Sequence, residues 1–165
     1  MLILGAGHET TTNLIGNGLE LLMRHRGEFE RLCAQPEVIQ SCVEECLRYE
    51  SPNQLGNRLV TTPVEIGGVH LAAGAYLTLG IGAANRDPAA FAEPDRFDTG
   101  RTPNPHLAFA AGAHACAGMS VARLEGRIAL LRAAQRFPRM QVTGAPVRAE
   151  RARFRGWKFL PVDVR

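Results

Sequence analysis

The stretch Phe109-Ala110-Ala111-Gly112-Ala113-His114-Ala115-Cys116-Ala117-Gly118 holds the residue types in this sequence best suited to chemistry. Cys116 stands there among glycines and alanines, just ahead of a segment with helical apolar periodicity. Amides at a helix N-terminus lower the pKa of a nearby thiol and donate hydrogen bonds to its sulfur. Glycine lets another group approach the backbone closely. A thiolate placed in this way serves as a nucleophile or as a metal ligand; a cysteine buried at a turn is the plain alternative. The other cysteines are Cys33, Cys42 and Cys46, and none forms a CxxC pair. Cys42 and Cys46, four apart on one helical face, have no partners at zinc-like spacing and read as buried helical thiols.

The elements that must position Cys116 are visible as changes of texture. Ile15, Leu19 and Leu22 repeat at helical spacing in a first segment from Leu2 to about His25. Three threonines and four glycines weaken its intrinsic propensity, so packing must hold it. No capping residue precedes Leu2, so the chain is expected to begin inside a helix. A short helix is expected over Glu28 to Ala34, and Pro36 with Glu37 opens another, marked by Ile39, Val43 and Leu47 and ending near Tyr49. On it, Glu45 and Arg48 stand three apart and can pair. From Leu55 to Leu79 short apolar runs alternate with Gly67-Gly68 and Gly74, as strands joined by tight turns do. Residues 82 to 118 form a long loop dense in Gly, Pro, Asn and Asp, a length that usually signals function. Val121, Leu124, Ile128 and Leu131 mark a helix up to Arg136, and short strand-like pieces near Met140 to Val142 and Phe154 to Phe159 close the chain.

Composition narrows the classes. With 165 residues, 45% hydrophobic and 21% charged, the chain suits one globular domain and excludes a disordered, collagen-like or coiled-coil protein. It lacks the apolar run of a membrane span and the positive n-region of a signal peptide, so a cytoplasmic, soluble protein is expected. A formal charge of +3 is too small to imply nucleic acid. The arginines 148, 151, 153 and 155 have no aromatic platform beside them and read as a solvated turn.

The pattern FxxGxHxCxG over residues 109 to 118 resembles the haem-binding loop of the bacterial-type cytochrome P450 family. Ala6-Gly7-His8-Glu9-Thr10-Thr11 resembles the oxygen-activating motif of that family's central helix, and Glu45-Cys46-Leu47-Arg48 its ExxR motif. Asn85-Arg86-Asp87-Pro88, Phe91 to Arg96, Arg155-Gly156 and Leu160-Pro161-Val162 follow in the family's order, so the resemblance runs over essentially the whole chain. It implies a mainly α (α+β) fold, the C-terminal part of the P450 fold, with helices and small β-sheets. Residues 1–165 would be a single fragment, from the distal half of the central helix to the C-terminus.

The resemblance also implies a site. Cys116 would be the axial thiolate, and so the metal ligand, of haem b, pushing electron density onto the iron. Gly118 would help tune the sulfur. His114 and Arg58 would pair with haem propionates, and Phe109 would pack near the haem or Cys116. Glu9 and Thr10 would form the acid–alcohol pair that organises water and relays protons to dioxygen, and Ala6 and Gly7 would leave room above the haem. Glu45 and Arg48 would interlock with an arginine of the later loop, Arg96, to hold the haem loop. Arg123 and Arg127 would either dock an acidic ferredoxin-type electron donor or form a solvated helical face.

The implied reaction is hydroxylation of a small apolar substrate with O2 and two electrons; the alternative is a truncated, catalytically inactive remnant that does not function alone. Two departures from the family stand out. Ala110 replaces the first glycine of the loop and brings strain if that position needs positive φ. The chain is also much shorter than a complete P450. The resemblance implies an N-terminal portion as a partner, and surfaces that pack on it are expected to be exposed in this chain.

Overall fold

The computed structural model describes residues 2–165, with side chains from Gly5 onward. Helix α1 spans Leu2–Arg24, followed by α2 (Arg26–Ala34), a 3-10 turn at Pro36–Val38, and α3 (Ile39–Tyr49). The proline sits in the first turn of that 3-10 segment, where its missing N–H costs nothing. Helix α5 (Met119–Arg136) packs against all three, and the core is their shared apolar interior: Leu14, Leu21, Leu22, Phe29, Leu32, Val43, Cys46, Leu47, Leu130 and Ala134.

Glycines set how closely α1 and α5 cross. A Cβ at Gly18 would stand 2.9 Å from Leu130 Cδ1, and one at Gly126 would stand 3.1 Å from Leu14 Cδ2 and 3.4 Å from Val43 Cγ1. The glycines that weaken α1 as an isolated helix thus include one that lets it seat against its neighbour. The stripe that reveals α5 in the sequence is not the one it buries. Gly126, Leu130 and Ala134 face the core, whereas Val121, Leu124 and Ile128 are more than half exposed, at 59%, 57% and 55%. Apolar residues therefore occupy two opposite faces of this helix.

The sheets are small and antiparallel. β1 (Leu55–Leu59) pairs with β4 (Tyr76–Gly80) in a register from Leu55↔Gly80 to Leu59↔Tyr76. β2 (Val64–Ile66) and β3 (Val69–Leu71) form a hairpin whose turn places Gly67 and Gly68 at φ of 58° and 80°, values that favour glycine. One turn of helix, α4 (Ile81–Ala84), follows β4. β5 (Gln141–Val142) pairs with β8 (Val162–Asp163), and β6 (Val147–Arg148) with β7 (Trp157–Phe159). The expected mainly α fold with small sheets is observed. Among the described residues, no helix is long and apolar enough to cross a membrane.

The long loop between α4 and α5 is fixed by buried polar contacts from α3. Arg48 and Glu45 are wholly buried and meet in a fork, Nε to Oε2 and Nη2 to Oε1, both at 2.8 Å. The remaining Arg48 donors go to the carbonyls of Asn85, Pro94 and Arg96 at 2.9, 2.8 and 3.2 Å. The third member of this network is Arg101, not Arg96. Arg101 Nε lies 3.2 Å from Glu45 Oε2, while the Arg96 side chain points outward to Glu93 and only its carbonyl joins the network. The loop turns between Phe91 and Asp98, and that turn brings Arg101 back over α3.

The arginines near the C-terminus are not a merely solvated turn. Arg148 donates to Glu50 at 3.0 Å and to Asn17 at 3.3 Å; Arg155 pairs with Glu50, and Arg151 with Glu9. They staple the last segment to α1 and to the end of α3.

Candidate cofactor site

Cys116 lies between a 3-10 turn at Gly112–His114 and the first turn of α5, whose N-cap is Gly118. Its N–H donates to the Phe109 carbonyl at 2.9 Å, closing the loop on itself. Closure needs positive φ at Ala110 (57°) and at Gly112 (67°). The sequence expectation of strain at Ala110 therefore holds, since the left-handed region is costly for a residue with a Cβ. Cys116 is the exposed cysteine of the four; Cys33 is half-buried and Cys42 and Cys46 are buried. The Cys46 thiol is pushed well above its ordinary pKa by its hydrogen bond with Cys42 and by burial, which keeps that thiol unreactive.

A largely apolar cavity of about 430 Å³ opens between α1 and the 108–118 segment. Of the residues singled out in the sequence, Ala6, Thr10, Phe109, His114, Cys116 and Gly118 line it, together with Gly7. Glu9 and Arg58 do not. Glu9 turns to Arg151, and Arg58, on β1, donates to the Asn57 carbonyl at 2.8 Å. Gly118 is close to the sulfur without being forced by it, since a Cβ there would stand 4.0 Å from Cys116 Sγ. Thr11, the last residue of the Ala6-to-Thr11 motif, lines it as well, as do Leu14, Pro52 and Asn53, which no sequence motif marks.

These residues suit a haem. The wall offers one thiol, and among the described residues no group of three His, Cys, Asp or Glu side chains stands close enough to hold a bare ion. A single thiolate with apolar walls fits a metal that brings its own equatorial ligands. On the opposite wall, a Cβ at Gly7 would meet nothing within 4 Å, so a flat apolar group has room there.

Behind the loop lies a second polar cluster that the sequence did not reveal. Glu44 on α3 accepts a bidentate pair from Arg123 on α5, at 2.8 and 2.9 Å, and a hydrogen bond from His106 Nε2 at 2.9 Å. Burial alone would raise the Glu44 pKa; the hydrogen bonds from His106 and Arg123 outweigh it and hold the carboxyl at about 2. The Arg123 guanidinium also lies over the Phe109 ring, 4.7 Å from its centroid. Arg123 is thus neither a free docking charge nor part of a solvated face, and Arg127 is half-buried beside it on the helix. Glu44 and His106 carry no spacing signal, because three separate segments supply this cluster.

A lone thiol thus sits on a strained turn, at the N-terminus of a helix, and faces an apolar cavity under a second helix. The family model of cytochrome P450 matches residues 31–148, and the chain belongs to the cytochrome P450 family. It is 47% identical over 137 residues to the biotin biosynthesis cytochrome P450 of Bacillus subtilis, covering 83% of this chain and 35% of that protein. To the putative cytochrome P450 140 of Mycobacterium tuberculosis it is 44% identical over 165 residues, covering 99% and 37%. The chain therefore spans a little over a third of the length of these curated relatives. Among solved structures, P450BioI in complex with a hexadec-9Z-enoic acid ligated acyl carrier protein superposes with a TM-score of 0.97 at 43% identity, over 99% of this chain and 43% of that one. CYP109E1 from Bacillus megaterium in complex with testosterone does so at 0.94 and 39%, over 98% and 45%.

Proposed function

We propose that this chain forms the thiolate side and part of the oxygen side of a haem monooxygenase that hydroxylates an apolar molecule. The observation that carries the reading is the exposed Cys116 thiol facing an apolar cavity whose opposite wall is the Ala6–Thr10 segment of α1. Haem bound there supplies the oxygen chemistry: one atom of O2 enters a C–H bond and the other leaves as water, with two electrons and two protons consumed. The electrons would come from a ferredoxin-type donor, and the N-terminal portion that longer relatives possess would complete the pocket. The ligands of two solved relatives, a hexadecenoic acid on a carrier protein and testosterone, support an apolar substrate.

Each of the chain's own residues would take a role at that cavity. Cys116 would hold the iron, His114 would donate to an anionic edge of the haem, and Phe109 and Ala6 would supply apolar wall. The Thr10 hydroxyl donates to the Ala6 carbonyl at 2.7 Å. Its hydrogen is thus committed to the helix, and its oxygen lone pairs are free to accept a proton-bearing water in the cavity. Glu9, the neighbour of Thr10 in sequence, would relay protons to that water from the solvent side on leaving Arg151, its partner here. Arg58 reaches the haem only if its side chain leaves the Asn57 carbonyl.

The test is the carbon monoxide difference spectrum of the dithionite-reduced chain reconstituted with haem. The expected result is a Soret band of the thiolate-ligated type, abolished in Cys116→Ala. A monodisperse chain that takes up no haem would overturn the reading for this polypeptide by itself and favour the inactive-remnant alternative.

A further inference from the structure

We infer that Arg123, paired with the Glu44 carboxylate that His106 also holds, is a positioning residue that keeps the Cys116 loop in shape against the strain at Ala110. The strain is local. Ala110 sits at φ 57°, where its Cβ crowds the backbone, and its neighbours on both sides are tied. Upstream, the His106 ring meets Glu44 at 2.9 Å through Nε2, while its Nδ1 accepts the Ala108 N–H at 3.3 Å. The Phe109 ring lies under the Arg123 guanidinium, and both Arg123 contacts to Glu44 are shorter than 3 Å. Downstream, the Phe109 carbonyl receives the Cys116 N–H. Residues 106, 108 and 109 are therefore gripped by α3 and α5 together, and Phe109 passes that grip to Cys116.

The arrangement has the form expected of a stored strain, which persists only where the surroundings over-determine it. A glycine at position 110 would need no such grip. The planar fork of arginine is what the clamp uses, pairing bidentately with a carboxylate while stacking on a ring. Lysine keeps the charge and loses both contacts. The cluster does not line the cavity, so its effect on the thiol is indirect: it fixes where the sulfur stands before any ligand arrives. The consequence for catalysis rests on Cys116 being the axial ligand; the clamp itself does not.

The experiment is backbone amide hydrogen exchange at Cys116 in the full chain without haem, so failure to bind haem leaves the readout intact. Four proteins are compared: the parent, Arg123→Lys, Ala110→Gly, and the double variant. Arg123→Lys is expected to raise the Cys116 exchange rate about five- to thirtyfold, the factor that matches the strain of one left-handed non-glycine residue. With Ala110→Gly present, the same substitution is expected to raise it less than about threefold, because little strain remains to be held. A clamp that served only general packing would give equal factors in both backgrounds, and that result overturns the inference. So does an unchanged rate in Arg123→Lys, or a Cys116 amide already unprotected in the parent. If Arg123→Lys loses its helical circular dichroism, Glu44→Gln replaces it in the same comparison, with the same expected factors.

Discussion

At the scale of single residues, Glu45 decides how the loop lies on the helices. It is wholly buried and receives Arg48, Arg101, the Asp98 amide at 3.0 Å and Asn104 at 3.2 Å. A buried carboxylate with that many donors is stable as long as every partner remains, and removing one leaves an uncompensated charge. Arg101→Ala is therefore expected to lower the unfolding free energy by about 2–4 kcal/mol, whereas Arg96→Ala, an exposed pair with Glu93, should change it by less than about 0.5 kcal/mol. Urea unfolding of the two variants checks this, and equal effects would return Arg96 to the network. Glu44 gives a pH signature. Its folded pKa is about 2 against an ordinary 4.5, so the stability it contributes is complete above pH 4.5 and is lost as pH falls from there toward 2. In Glu44→Gln the unfolding free energy should fall by about 1–3 kcal/mol at neutral pH and lose slope over that acid window, as denaturation at stepped pH would show.

At the scale of elements, the crossing of α1 and α5 places the cavity, because Thr10 and Cys116 belong to its two sides. Gly126 is wedged between Leu14 and Val43, so Gly126→Val is expected to cost about 1–3 kcal/mol by overpacking and to lower the melting temperature by several degrees. A Cβ at Gly5 meets nothing, so Gly5→Ala should raise stability by about 0.5–1 kcal/mol through helix propensity alone. The elements themselves were legible in the sequence, since 3.6-residue periodicity marks α3 and α5, and paired glycines mark the β2–β3 turn. The site was legible wherever it comes from contiguous residues: Ala6 to Thr10, and Phe109 to Gly118. What sequence did not carry is long-range choice. Arg101 rather than Arg96 depends on the path of the coil that follows α4, the Glu44–His106–Arg123 cluster joins three segments, and which of two apolar faces α5 buries depends on where α1 lies.

At the scale of the whole molecule, the chain puts much apolar surface in water for its size. Val121, Leu124 and Ile128 form an exposed stripe along α5, and Leu59, Ile66, Val69, Tyr76 and Phe159 are each more than half exposed on the small sheets. Contiguous apolar surface of this kind drives self-association, and a net charge of +3 gives only weak repulsion against it. Exchanging Leu124 and Ile128 together for Gln should therefore separate two properties that usually move together. Self-association, followed by sedimentation velocity over a range of concentrations, should fall sharply. The unfolding free energy should change by less than about 1 kcal/mol, because the side chains removed are already hydrated in the folded chain. A loss of 2 kcal/mol or more would mean that this face is buried in the folded monomer, and unchanged association would move the sticky surface from the helix to the sheets.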